Sequence, residues 1–314
     1  MLKKSFLVSK IALLLLLCLV FSACSISDTV KENPSYSFTD ALGRNVVLDN
    51  KPVRVAALIG SFADVWMLAG GDICAAPVDA WEDFKLPLKD AVNIGGAHSP
   101  SLEAVLSSEP DFVLASASTS SNVKLKASFE KMGIPVAYFD VDSFSDYLAM
   151  LKICTDITGR TDLYEINGAE VEKKIKKIKD GIKLKDNEKK ILLLRISPGL
   201  IKSKGSEGTV LGEILSDSGL INIADNDKAL LENLNIESIV KENPYRIFVA
   251  VMGDDHEAAK ENLTKLLSEN PAWSNLDAVK NNRIHIMERE LFHIKPNEKW
   301  AQSYEQLEKI LKSK

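Results

Sequence analysis

The chain has 314 residues, more than one average domain, and 46% of them are hydrophobic, enough for two packed cores. A formal net charge of -5 argues against a phosphate-seeking role such as nucleic-acid binding. The one lysine-rich stretch, Lys173 to Lys185, carries Ile175, Ile178 and Ile182 at helical spacing, which marks a solvated helix face.

In chain order, Lys3 and Lys4 precede an apolar run from Ile11 to Phe21. The run is too short to span a bilayer but has the length of a signal-peptide core, so residues 1–23 read as a cleaved leader. It ends in Phe21-Ser22-Ala23-Cys24, which resembles a bacterial lipobox, with Phe21 where leucine is preferred. On that reading Cys24 becomes the acylated mature terminus, and two or more acyl chains anchor stably. The alternative is an ordinary small-residue cleavage site beside an incidental cysteine. Residues 24–35 are polar and contain Pro34, a tether composition. Cys74 and Cys154 remain for the mature fold; a disulfide is permitted outside the cell, but their apolar surroundings favour buried free thiols.

Ser37 to Leu48 alternates around Asp40 and Gly43 and predicts a hairpin. The predicted elements that follow are a strand over Val53 to Leu58, a helix over Ala63 to Ala69 stopped by Gly70-Gly71, and a strand over Ile73 to Val78. A looser segment with Trp81, Phe84 and Pro87 leads to Ser101 to Ala115, which reads as helix, proline stop and buried strand. A serine-rich loop over Ser116 to Asn122, a helix through Met132 and a strand over Ile134 to Phe139 complete a lobe, residues 36–143. Residues 144–184 are helical, a short helix before Gly159 and a long one after it. Residues 185–314 repeat the pattern: strand Ile191 to Ile196, a glycine-serine loop through Gly208, and helix Thr209 to Ser218. Then come a second helix-proline-strand unit, helix Glu257 to Glu269, strand Arg283 to Ile286 and a last helix from Pro296.

The two units, SLEAVLSSEPDFVLA from Ser101 and NIESIVKENPYRIFV from Asn235, are in register. Each places a glutamate, Glu103 or Glu237, before an apolar helical set, and each has a proline stop, Pro110 or Pro244. Ser99 and Asn233 are the expected N-caps. The alternation of strands and helices predicts an α/β fold, two Rossmann-like lobes with mostly parallel sheets bridged by a single long helix. Ligands of such sheets bind beyond the strand carboxyl ends, where the expected facing loops are Gly60 to Phe62, Trp81 to Phe84, Ser116 to Asn122, Ser197 to Gly208, Met252 to Asp255 and Arg289 to His293.

FTDALGRNVVL followed by PVRVAAL, SLEAVLSSEPDFVLA, GIPVAYFD, NIESIVKENP and NPAWSNLDAVKNNRIHIM resembles the iron-siderophore, haem and cobalamin binding proteins of ABC importers. The likeness covers Phe38 to Leu311 and implies two α/β lobes joined by one rigid helix near Thr161 to Lys183. It implies a monomeric, non-enzymatic, extracytoplasmic lipoprotein. Its bound small molecule would be a ferric siderophore first, with haem or cobalamin as alternatives, and it would have no resident cofactor. In the family the glutamates of the repeated unit pair with permease arginines, which carries permease docking onto Glu103 and Glu237; the partners implied are the permease and its ATPase.

Two rival classes find less support in the residues. A surface hydrolase finds no G-x-S-x-G, Walker or dinucleotide motif, and His256-Glu257 lacks the second zinc-protease histidine because position 260 is lysine. A zinc or manganese importer's binding protein needs histidines and carboxylates converging in the cleft, and only His98, His256, His285 and His293 exist. Five residues are the ligand-site candidates. Trp81 could stack on a flat chelate or anchor its loop to the core. His98 precedes a helix start. Arg195 ends an apolar strand, where a guanidinium needs an anionic partner, from the ligand or from the protein. Phe292 and His293 occupy the loop before the last helix, where an axial haem ligand could sit.

Overall fold

The computed structural model describes residues 36–253 and 255–313; the leader, the tether and Cys24 lie outside the described residues. Strands β1 (Tyr36–Thr39) and β2 (Asn45–Leu48) form the antiparallel hairpin. Asp40 fixes its turn by accepting from the backbone amides of Leu42 and Arg44, each at 3.0 Å. The same carboxylate pairs with the Arg44 guanidinium at 2.6 Å and accepts from Tyr138 N at 3.2 Å. Arg44 in turn donates to Val136 O at 2.8 Å. The aspartate and arginine of the DALGR stretch thus pin the hairpin to the edge of the first sheet.

That sheet holds β3 (Val55–Ala57), β4 (Ile73–Ala76), β5 (Val92–Asn93), β8 (Phe112–Ser116) and β9 (Val136–Phe139), parallel in the order β5-β4-β3-β8-β9. Between them a two-stranded ribbon, β6 (Gly95–Gly96) with β7 (Ser99–Pro100), leads into the helix Leu102–Ser107. The second sheet is built on β10 (Lys190–Ser197), with β11 (Leu200–Ser203), β12 (Ile221–Asn222), β13 (Arg246–Val251) and β14 (Ile284–Ile286). β11 runs antiparallel to β10, so this sheet is mixed. The glycine-serine loop expected after β10 therefore begins with a strand, because Leu200 to Ser203 takes up the edge of β10 that β12 leaves open.

Both faces of the two sheets are buried, which is why their strands read as continuous apolar runs. In β8, Phe112 and Leu114 point to one core and Val113 and Ala115 to the other. In β13, Phe248 and Ala250 share the first core, whereas Ile247, Val249 and Val251 point away. The shared core is a single cluster that also takes in Tyr147, Leu151, Leu193, Leu211, Trp300 and Leu307, so the inner faces of both lobes are packed through the helices between them.

Those helices begin with Phe144–Thr158, 15 residues opened by a Ser143–Asp146 capping box and closed by Gly159 at φ 74. The helix expected to be short is therefore about four turns long. A second helical run follows over Thr161–Tyr164, a π-turn over Glu165–Ala169 and Glu170–Gly181. The π-turn is tied down: Tyr147 OH donates to Asn167 O at 2.9 Å, and Asn167 Nδ2 donates to Leu68 O at 2.9 Å. At Gly168 a Cβ would lie 3.0 Å from Leu148, so glycine lets the two helices close up.

A second crossing comes from the C-terminal segment. Asn297, 1% exposed, donates from Nδ2 to Ser61 O at 3.0 Å and to Asp64 Oδ2 at 2.7 Å on the first lobe. The Trp300 and Phe144 rings meet edge-on at 5.9 Å. The helix Trp300–Lys312 returns to the second lobe, where Tyr304 OH donates to Asp217 at 2.7 Å and Arg246 donates to Leu311 O at 3.2 Å.

The helix N-caps differ from expectation in the same way in both repeated units. Ser101 accepts from Ala104 N at 3.2 Å and Asn235 from Ser238 N at 3.0 Å, two residues after Ser99 and Asn233. Ser99 is taken by β7, and Asn233 ends the preceding helix Lys228–Asn233.

Asp64 yields a stability prediction. Burial, reinforced by the Glu298 charge and opposed by the Asn297 hydrogen bond and Lys299, raises its pKa from 3.8 to about 6. The folded state then holds a proton that the unfolded chain has released, so this group's penalty is absent below about pH 4, grows to about pH 6 and is full above it. Asp64→Asn should therefore gain stability relative to wild type at pH 7.5, by about 1–3 kcal/mol, and the gain should shrink on moving to pH 5. Parallel unfolding curves for the two proteins across that range would remove Asp64 from the pH dependence.

Candidate functional site

The carboxyl ends of the two sheets face each other across a cleft, and one cavity in it has a volume of about 330 Å³. From the first lobe it is lined by His98, Ser118, Thr119 and Asp142. Asn122, fully buried, builds this wall: its Oδ1 accepts from Ser116 N at 3.1 Å and its Nδ2 donates to Ala97 O at 3.2 Å, joining two loops. Ser116 Oγ accepts from Thr119 N at 3.2 Å and so turns the serine loop toward the cavity.

From the second lobe the cavity is lined by Arg195 of β10, Lys204 just past β11, and Gly208 to Leu211 at the start of the helix Val210–Asp217. The helix is seated by its loop. Thr209 Oγ1 accepts from Gly212 N at 3.1 Å, Ser206 N and Oγ donate to the Asp225 carboxylate at 2.7 and 2.8 Å, and Asn222 Nδ2 donates to Lys204 O at 2.7 Å. A Cβ at position 212 would lie 2.2 Å from Ser206 O, so only glycine permits this fold-back. The free amides and dipole of that helix end add positive potential to the cavity.

The charges are unbalanced. Arg195 is half-buried, its Nε is buried without a partner, and burial lowers its pKa. Lys204 is lowered by burial and then by the charges of Arg195 and Lys202, which faces Arg195 across β10 and β11. Lys295 has Asp142 at 3.6 Å. His293 feels the cluster most: burial first, then Arg195, Arg289 and Lys295, depress its pKa to about 4, so it is neutral at pH 7. One carboxylate, Asp142, lines this cavity against the three cations Arg195, Lys204 and Lys295.

A second chamber of about 380 Å³ adjoins the first and shares His98, Thr119, His293 and Lys295 with it. It is walled by Asp79, Asp83, Phe84 and Arg289. Arg289 and Asp83, on opposite lobes, form a two-bond ion pair, with Nη2 to Oδ2 at 3.0 Å. Burial raises the pKa of Asp79, whose Oδ2 accepts from Gly60 N at 3.0 Å.

Of the five ligand candidates, the cleft brings together His98, Arg195, Phe292 and His293. Phe292 is 1% exposed and belongs to the shared core, so it forms the cavity floor. Trp81 is not among them. Its indole Nε1 donates to Leu88 O at 3.0 Å and its ring packs on the core, which makes it the anchor of its own loop. Lys204, Lys295, Arg289, Ser118 and Thr119 were not singled out by sequence reasoning. Recognising the β10–β11 hairpin would have pointed to Lys204, and the serine loop itself pointed to Ser118 and Thr119. Glu103 and Glu237 are exposed in the first turns of their helices, each on a different lobe. Cys74 and Cys154 are free thiols. Among the described residues no three of His, Cys, Asp and Glu gather into a metal centre, and no helix is long and apolar enough to cross a membrane.

Residues 47–291 match the family described as periplasmic binding protein. The iron-uptake system-binding protein of Bacillus subtilis is 28% identical over 204 residues, 65% of this chain and 63% of that protein, so the chain spans less than two thirds of this relative. The Fe(3+)-citrate-binding protein YfmC of the same organism is 26% identical over 307 residues, 90% of each chain. Among solved structures, Staphylococcus aureus SirA complexed with staphyloferrin B superposes with a TM-score of 0.67 at 21% identity, over 88% of this chain and 98% of that one; this likeness bears on the fold.

Proposed function

The chain belongs to the periplasmic binding protein family, and from that premise we propose that it captures an anionic ferric chelate between its lobes and delivers it to the permease of an ABC importer. The observation that carries the ligand class is Arg195: a half-buried guanidinium with an unpartnered Nε, in a cavity where Lys204, Lys295 and a helix N-terminus add positive charge. Burying such a group without a carboxylate is costly unless a ligand anion completes it. The two adjoining chambers lie in the size range of small-molecule sites. The named ligands of the relatives, Fe(3+)-citrate and staphyloferrin B, support the same class. Haem is a second reading, favoured by His98 and His293, which line the same cavity, His293 with a neutral imidazole.

Arg195→Gln should weaken binding of ferric citrate or another anionic ferric chelate about tenfold or more, since a hydrogen bond to a charged group is worth about 1.5–3 kcal/mol. Trp81→Phe should leave affinity unchanged. A fluorescence titration against anionic and neutral ferric chelates, haem and cobalamin measures both. Equal binding by wild type and Arg195→Gln would sink the anionic-ligand reading.

We further propose that Glu103 and Glu237 dock on permease cations, as two exposed carboxylates held on one rigid body. Each exposed ion pair contributes about 0.2–1 kcal/mol, but two held together act at high effective concentration. The Glu103→Ala, Glu237→Ala double variant should keep ligand affinity and Tm while losing most permease-stimulated ATP hydrolysis, each single change doing less. Full stimulation by the double variant with its cognate permease would refute the docking role.

The third part of the proposal is anchoring: signal peptidase cuts before Cys24, and the acylated cysteine holds the protein at the outer surface of the cell membrane. Mass spectrometry should find a diacylglycerol-bearing Cys24 at the mature terminus, and Cys24→Ala should abolish it. An unmodified terminus elsewhere would overturn the assignment.

A further inference from the structure

The Asp83–Arg289 pair sits in the wall of the second chamber, between residues 206 positions apart in sequence and on opposite lobes. Its geometry is that of a carboxylate recognised end-on by the two Nη groups of a guanidinium, with both Asp83 oxygens engaged. A carboxylate-binding position therefore exists in the ligand cleft and is filled by the protein's own side chain. Neither partner is sealed away: the side chains are 24% and 37% exposed. Arg289 is also continuous with the cationic cavity, since Arg195, Arg289 and Lys295 all act on the His293 imidazole and His293 lines both chambers.

We propose that Asp83 is an internal competitor of the ligand, holding on Arg289 the place that a carboxylate of the bound chelate takes by exchange. This rests on the anionic-chelate reading and adds to it a second anchoring cation and a carboxylate that lowers affinity. The exchange breaks a lobe-to-lobe contact and makes a lobe-to-ligand one, so filling the second chamber loosens one tie across the cleft while the ligand supplies another. A chelate with a carboxylate free to reach beyond the Arg195 cavity is discriminated from one without.

The expected signs are opposite for the two partners. Removing a merely structural clasp would weaken binding or leave it alone, whereas removing a competitor strengthens it. With ferric citrate as the probe, Asp83→Asn should bind about two- to fivefold tighter, the range expected when a partly exposed ion pair stops competing. Arg289→Gln should bind about tenfold weaker or less tightly still. The double variant should match Arg289→Gln, because Asp83 acts only through Arg289. Asp83→Ser serves as a second variant, and Tm of each protein reports folding. Weaker or unchanged binding by both Asp83 variants overturns the proposal. So does an equal tightening in the Arg289→Gln background, which would mark a general effect of one less negative charge. Failure of the parent reading looks different: wild type then binds no anionic chelate, or Arg195→Gln binds it as well as wild type, and the competitor role falls with it.

Discussion

The inner faces of both sheets are buried against one continuous set of apolar side chains, and this shared core governs what the cleft above it can do. Phe112 and Leu114 on one side, Leu193 and Phe248 on the other, meet the same helices through Tyr147, Leu151 and Leu307. Each such side chain contributes about 1.5–3 kcal/mol by burial, so separating the lobes at their base would sacrifice many times the energy that a ligand contact supplies. Tyr147 on Asn167 O, Asn167 on Leu68 O and Asn297 on Ser61 O add directional ties across the same junction. Burial therefore resists separation at the base far more than at the open end, where the lobes meet through the ion pairs Asp142–Lys295 and Asp83–Arg289.

A rigid base permits an unbalanced cleft. Arg195, Lys204, Lys295 and Arg289 repel one another, and burial disfavours the charged form of the first two. A flexible structure would relieve this by splaying. Here the strands β10 and β11, the seated helix Val210–Asp217 and the Asn122 clamp hold the walls in place. Of the three carboxylates that line the two chambers, Asp142 and Asp83 each pair with one cation from the opposite lobe, whereas Asp79 accepts from Gly60 N.

Much of the fold was legible because both sheets are covered on two sides, which makes β8, β10 and β13 unmistakable apolar runs, and because the repeat at Glu103 and Glu237 declared two similar lobes. Short elements were less legible. β12 has two residues, and β11 is a polar-flanked edge strand whose pairing depends on the neighbouring β10 rather than on its own pattern. The N-caps were misplaced because Ser99 and Ser101 have the same local chemistry, and only the β6–β7 ribbon decides between them. In the site, Arg195 was legible as a charge stranded in an apolar strand. The sequence leaves Trp81 between two roles because an indole suits a ligand stack and a loop anchor equally, and what favours the anchor is the position of Leu88 O. Lys295, Asp83 and Arg289 could not be found by spacing, since what brings them together is the crossing of the C-terminal segment between the lobes.

That crossing also sets cations from one short segment beside both chambers. Residues 287–299 continue from β14, held to β13 by Met287 N on Val249 O, carry Arg289, Phe292, His293 and Lys295 past the cavity, and are then pinned to the first lobe by Asn297. A charge that draws Lys295 or Arg289 inward acts on a short segment fixed at both ends, one end on each lobe. The ties it makes at the rim, Asp142–Lys295 and Asp83–Arg289, are partly exposed ion pairs, each worth little beside the buried base, so the polar end of the cleft is held less firmly than the apolar one.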